Sequence, residues 1–89
     1  MKAKYRIEFN KKYLKDLEKI PARDQKQIRE KIGALAFEPR PDGCKKLQGS
    51  DKDPLYRIRC GNYRVVYTIN DSVLLVLVIE LGHRKDIYR

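Results

Sequence analysis

Two strand-like runs, residues 55–60 and 63–69, are separated only by Gly61-Asn62, and this spacing restricts the fold more tightly than any other feature of the chain. A two-residue Gly-Asn connection between such runs is a tight β-hairpin turn. The turn sets the register. Cys60 then sits opposite Tyr63, Arg59 opposite Arg64, Ile58 opposite Val65, Arg57 opposite Val66 and Tyr56 opposite Tyr67. Side chains alternate between the faces of a sheet, so one face carries Tyr56, Ile58, Cys60, Tyr63, Val65 and Tyr67. That face is a core for helices to cover. The other carries Leu55, Arg57, Arg59, Arg64, Val66 and Thr68, and is expected to be open to solvent.

Three arginines gather on this second face, two of them directly across from each other. Like charges in that position destabilise a sheet, so stability alone does not favour the arrangement. The plainer alternative is a solvated face on which long side chains splay apart. Guanidinium groups suit phosphate, because they stay charged and donate in a bidentate fork. A cluster of them can position an RNA backbone and stabilise the extra negative charge on phosphorus as a bond breaks.

The rest of the chain supplies a cover for the core face. Residues 5–9 alternate apolar and polar and read as a short strand. Asn10 is a helix N-cap, and Tyr13, Leu14, Leu17 and Ile20 recur at helical spacing. Pro21 stops that helix and can open the next, whose inner face is marked by Ile28, Ile32 and Leu35. Two prolines and a glycine in residues 38–43 end the helical hairpin. Residues 44–54 read as a polar loop carrying Lys45, Lys46 and Lys52, with Leu47 as a core anchor. After a turn at Asn70-Asp71-Ser72, residues 73–79 are almost all β-branched or Leu, the pattern of a strand buried on both faces, ended by Gly82. The order β-α-α-β-β-β predicts a single α+β domain over residues 1–89. Its antiparallel sheet has about four strands, with an N-terminal helical hairpin packed on one face.

Charge and cysteine usage narrow the function. Lys and Arg total 21 against 12 acids, a net charge of +9 on 89 residues. Solubility alone calls for a magnitude of about 2–8. The excess points to a polyanionic partner, nucleic acid or an acidic protein, against the bland reading of a solvated surface. Cys44 and Cys60 have neither metal-ligand spacing nor the number for a disulfide framework, so a reducing cytoplasm is expected. No signal peptide or bilayer-length apolar run is present, and no membrane association is expected. P-loop, zinc, nucleophile-elbow and magnesium-binding acidic patterns are all missing. No cofactor or metal is expected, and RNA cleavage would use the RNA's own 2′-hydroxyl as nucleophile.

The tail, residues 82–89, follows the buried strand and would emerge at a sheet end. His83 is the only histidine. Histidine is the usual acid–base group near neutral pH, although a lone histidine is more often structural. Tyr88 can stack on a base or exchange a proton, or equally pack a C-terminal segment. Arg84 is a further phosphate candidate, and Lys85 joins Lys45, Lys46 and Lys52 as a candidate RNA contact.

Lys46-Leu47-Gln48-Gly49, Leu55-Tyr56-Arg57-Ile58-Arg59, Gly61-Asn62-Tyr63-Arg64-Val65-Val66-Tyr67 and the ending Gly82-His83-Arg84-Lys85-Asp86-Ile87-Tyr88-Arg89 together resemble the RelE/ParE toxin superfamily. The resemblance covers essentially the whole chain. It implies the toxin of a type II toxin–antitoxin system, RelE-like in fold. It implies a metal-independent mRNA interferase acting on messenger RNA in the ribosomal A site, and a cognate antitoxin that wraps the toxin and blocks its site. By position it implies that Arg57 and Arg59 contact and activate the RNA, that Arg64 and Arg84 steady the scissile phosphate, and that Tyr88 stacks on the substrate base. Two departures stand out. Well-known members carry lysines where this chain has Arg57 and Arg59, and arginine is a poor proton donor or acceptor. His83 stands where some relatives have another basic residue, a position from which it could take over proton transfer.

Two rival functions share parts of this pattern. ParE-type toxins have the fold but bind DNA gyrase and generally lack the full set of arginine and tyrosine site residues, which this chain keeps. An RNA-binding module without activity would explain the charge, but Tyr56, Tyr63 and Tyr67 fall on the expected core face and leave no exposed stacking platform of the usual kind.

Overall fold

A computed structural model describes residues 4–47 and 54–83. Its elements are β1 (Arg6–Phe9), α1 (Lys11–Glu18), α2 (Ala22–Ala34), β2 (Lys45–Leu47), β3 (Leu55–Cys60), β4 (Tyr63–Asn70) and β5 (Leu75–His83). The five strands form one sheet in the order β1-β5-β4-β3-β2.

Local chemistry explains the helical hairpin. The Asn10 side chain accepts a hydrogen bond from the Tyr13 N–H at 3.0 Å, capping α1. At the other end of α1, Gln25 Nε2 donates to the carbonyls of Leu17 and Ile20 at 3.0 and 2.7 Å. The Ile20 carbonyl gains a donor that the helix end does not supply, and the Leu17 carbonyl, which already accepts from the Ile20 N–H, gains a second. Tyr13 and Leu17 of α1 and Ile28 and Ile32 of α2 are buried, with Leu35 just beyond. They pack on Tyr56, Ile58, Cys60, Val65 and Tyr67, the face expected from the hairpin alternation. Tyr67 donates its hydroxyl to the Pro39 carbonyl at 2.8 Å, so its polar tip is satisfied inside the core.

Several expectations need correction. The sheet has five strands, because Lys45–Leu47, expected in a loop, pairs antiparallel with β3. Its short length and lysines are those of an edge strand, and such a strand has little periodicity to betray it. The sheet is also mixed, since β1 pairs parallel with β5. Leu14 is expected on the core side of α1 but stands half exposed on its rim.

The last strand differs most. Val73 and Leu74 belong to the turn, where Leu74 adopts φ +52°, and β5 starts at Leu75. It then runs through Gly82 instead of stopping there. Tyr67 pairs with Val78 but Val66 pairs with Glu80, so Ile79 is an extra residue, a β-bulge. Burial alternates along β5, with Val76, Val78 and Leu81 buried and Leu75, Leu77 and Ile79 only half-buried, so one face alone is fully enclosed. Among the described residues no helix is long and apolar enough to cross a membrane.

Candidate nucleic-acid interface

The β3–β4 ladder has the register expected from Gly61-Asn62, with Gly61 at φ +59° where a side chain would be strained. Arg59 therefore faces Arg64, and Arg57 faces Val66. On the far side of β3, Lys45 pairs with Arg57. On the far side of β4, Gly82 pairs with Arg64 and Glu80 with Val66. One row across the outer face thus reads Lys45, Arg57, Val66, Glu80, and the next Arg59, Arg64, Gly82. Gly82 brings no side chain onto the face beside Arg64. Glu80 accepts from Lys12 Nζ at 3.1 Å, which offsets the one carboxylate in these rows.

This face is not open along its length. Arg64 is 1% exposed, Arg57 4% and Val66 3%, while Arg59 is exposed. β4 is the middle strand of the sheet, and Arg57 of β3 is flanked by β2 and β4. Arg59 lies beyond the last β2 pair, near the hairpin end. Taking guanidinium out of water is costly unless an anion or hydrogen-bond acceptor compensates. Among the described residues the Arg57 side chain makes no hydrogen bond or ion pair.

Arg57 and Arg59 also line a groove of about 330 Å³ at the β3 edge, with Lys45, Lys31 of α2, and Asp42 and Gly43 of the preceding turn. Sequence reasoning singled out neither Lys31 nor Asp42. Periodicity marks the buried face of a helix but not the loop its exposed face meets. Lys46 pairs with Tyr56 and so points away from the arginine rows.

His83 also lies off the arginine face. It pairs with Tyr63, on the helix side of the sheet, and the two rings meet edge-on with centroids 5.7 Å apart. It lines a second groove with Asp16, Lys19 and Tyr63, whose hydroxyl donates to Asp24 at 3.4 Å. Burial and the nearby Asp24 carboxylate raise the Tyr63 phenol above its ordinary value. Lys52, Arg84, Lys85 and Tyr88 lie outside the described residues.

A helical hairpin on one face of a five-stranded sheet, with paired arginines on the other, is the fold of the RelE/ParE toxins. The chain belongs to the ParE toxin family of type II toxin–antitoxin systems, whose model matches residues 7–88. Its sequence is 33% identical to Toxin RelG of Mycobacterium tuberculosis over 89 residues, covering 96% of this chain and 97% of that one. It is 28% identical to the mRNA interferase toxin RelE of Escherichia coli over 81 residues, covering 91% and 84%. Among solved structures, the archaeal RelE–RelB complex from Pyrococcus horikoshii aligns with a TM-score of 0.81 at 31% identity, covering 91% of this chain and 96% of that one.

Proposed function

We propose that this toxin is an endoribonuclease that cuts messenger RNA, on the ribosome, by attack of an RNA 2′-hydroxyl on the adjoining phosphorus. The observation that carries the reading is the row of Arg59 and Arg64 beside the buried Arg57. Arginines at facing backbone positions concentrate positive charge on one patch, and guanidinium binds a phosphate through a bidentate fork. As the 2′-oxygen bonds to phosphorus and the 5′-oxygen leaves, negative charge grows on the non-bridging oxygens. Fixed cations at low dielectric stabilise that charge more than the ground state, which is what lowers the barrier. The 2′-hydroxyl gives its proton to water and the leaving 5′-oxygen takes one from water, so the products are a cyclic phosphate and a 5′-hydroxyl.

Arginine cannot trade protons at neutral pH, so Arg57, Arg59 and Arg64 act electrostatically. Arg84 is assigned to the same phosphate and Tyr88 to the substrate base. Lys45, Lys52 and Lys85 serve as contacts to the flanking backbone. The placement of His83 beside Tyr63 favours a structural role for it over proton transfer. The mRNA interferase name of the E. coli relative supports the activity. The RelE–RelB complexes among the similar structures support an antitoxin as the resting partner, and a charge of +9 favours an acidic segment in it.

Inducible expression followed by mapping of RNA ends tests the activity. Cuts inside translated codons, missing in the Arg64→Ala protein, are expected. Growth arrest with intact messages and damaged DNA would overturn the reading in favour of a gyrase-directed toxin, a use of this fold with which the ParE name of the family is consistent.

A further inference from the structure

We propose that the groove at the edge of β3 is a second phosphate subsite, holding the RNA backbone next to the scissile phosphate, with Lys31 of α2 as its outer anchor. The proposal rests on the ribonuclease reading and extends it to two residues outside the hairpin.

The groove exists because β2 is short. Its last partner on β3 is Arg57, so Ile58, Arg59 and Cys60 have no β2 neighbour. The turn before β2 curls beside this gap. The Cys44 N–H donates to the Pro41 carbonyl at 3.0 Å, and Gly43 takes φ +88°, the left-handed position that glycine fills in a type II turn. That turn brings Asp42 to one wall, and α2 brings Lys31 to the other. The result is a cleft of about 330 Å³ bordered by four cations and one carboxylate.

Two observations mark it as a place for an anion. Arg57 lines the groove at 4% exposure with no side-chain hydrogen bond or ion pair among the described residues. An arginine enclosed that far without an internal acceptor has donors left for something that enters from the groove. Lys31, Lys45, Arg59 and Asp42 likewise make no side-chain hydrogen bond or ion pair among the described residues, so the charges around the opening are not spent on one another. The groove also shares Arg57 and Arg59 with the arginine rows. An RNA strand on those rows continues over the β3 edge into the groove, where Lys31 meets its next phosphate. Asp42 is the one repulsive group there and holds the backbone to the Lys31 and Lys45 side.

The test is direct binding, kept apart from cleavage. The toxin, freed of antitoxin, is titrated with a single-stranded RNA methylated at every 2′-oxygen, so that no nucleophile is present, at several salt concentrations. Each phosphate contact on a single strand contributes about 0.7 to the slope of log affinity against log salt. Lys31→Gln should lower the slope by about that amount, and Asp42→Asn should tighten binding by about threefold, the scale of an exposed charge pair. Lys11→Gln, an equal loss of charge on α1, should leave the slope unchanged. The subsite is overturned if Lys31→Gln leaves the slope intact, or if Lys11→Gln lowers it equally. It is also overturned if the Lys31 effect appears with duplex RNA alone, which would assign the groove to structured RNA. Normal binding of the methylated strand by a protein that leaves messages uncut would instead defeat the ribonuclease reading and not the subsite.

Discussion

Arg59 and Arg64 face each other across the β3–β4 hairpin, yet one lies in solvent and the other is 1% exposed. The pair therefore holds one cation in water and one out of it.

That asymmetry predicts a trade between stability and activity. Arg59→Ala relieves a like-charge pair and should raise the urea midpoint, with a gain of about 0.2–1 kcal/mol, while reducing RNA cleavage. An unchanged or lower midpoint would mean that the two groups do not repel in the folded protein.

Arg64→Ala should abolish growth arrest while the purified protein still melts cooperatively. Arg64→Lys, which keeps the charge but loses the fork, should retain part of the activity. A well-expressed Arg64→Ala protein that still arrests growth would remove Arg64 from the machinery.

The core has its own test in Tyr67. Tyr67→Phe strips the only polar atom from a buried ring and leaves the Pro39 carbonyl without its 2.8 Å donor. A loss of about 1–2 kcal/mol in denaturant unfolding is expected. Burial, first among its causes, also drives this phenol well above its ordinary value, so no tyrosinate absorbance from Tyr67 should appear before the protein unfolds in alkali.

Acid should weaken the strap formed by Arg40, Asp71 and Tyr5. Arg40 Nη2 sits 2.9 Å from Asp71 Oδ2, and the Tyr5 hydroxyl donates to Asp71 Oδ1 at 2.6 Å. The Arg40 hydrogen bond, then that of Tyr5, hold the Asp71 carboxyl below its ordinary value of 3.8. Its contribution is therefore complete above that value and is lost as the pH falls through the lower folded value. Melts of wild type and Asp71→Asn should differ near neutrality and converge in strong acid. The difference should be small, because the pair is half in water. A gap that widens in acid would contradict the strap.

Much of this was legible in the sequence, for reasons specific to each element. The hairpin register follows from two turn residues, and the helices from Asn10, Pro21 and the spacing of Ile28 and Ile32. The parallel pairing of β1 with β5 has no local signature, since it depends on where the crossover returns. β2 is hidden by its lysines. The apolar run before Glu80 has no alternation from which to read a phase, so the bulge at Ile79 was invisible, and with it the turning of His83 toward Tyr63. The burial of Arg57 and Arg64 has no signal in the hairpin, whose alternation places both on the face away from the helices. Lys31 and Asp42 come together only through the turn at Gly43.

The bulge at Ile79 acts as a parity switch. In an uninterrupted ladder continuing the Tyr67–Val78 pair, Leu81 would stand beside Arg64, and Glu80 would point into the core against Val65. The single extra residue exchanges these, so that Gly82 meets Arg64 and Leu81 is buried. Length changes between Tyr67 and Gly82 are thus quantised. A one-residue insertion in the outer half of β5 would turn Leu81 toward Arg64 and Glu80 toward Val65, burying a carboxylate in the core at a heavy cost to folding.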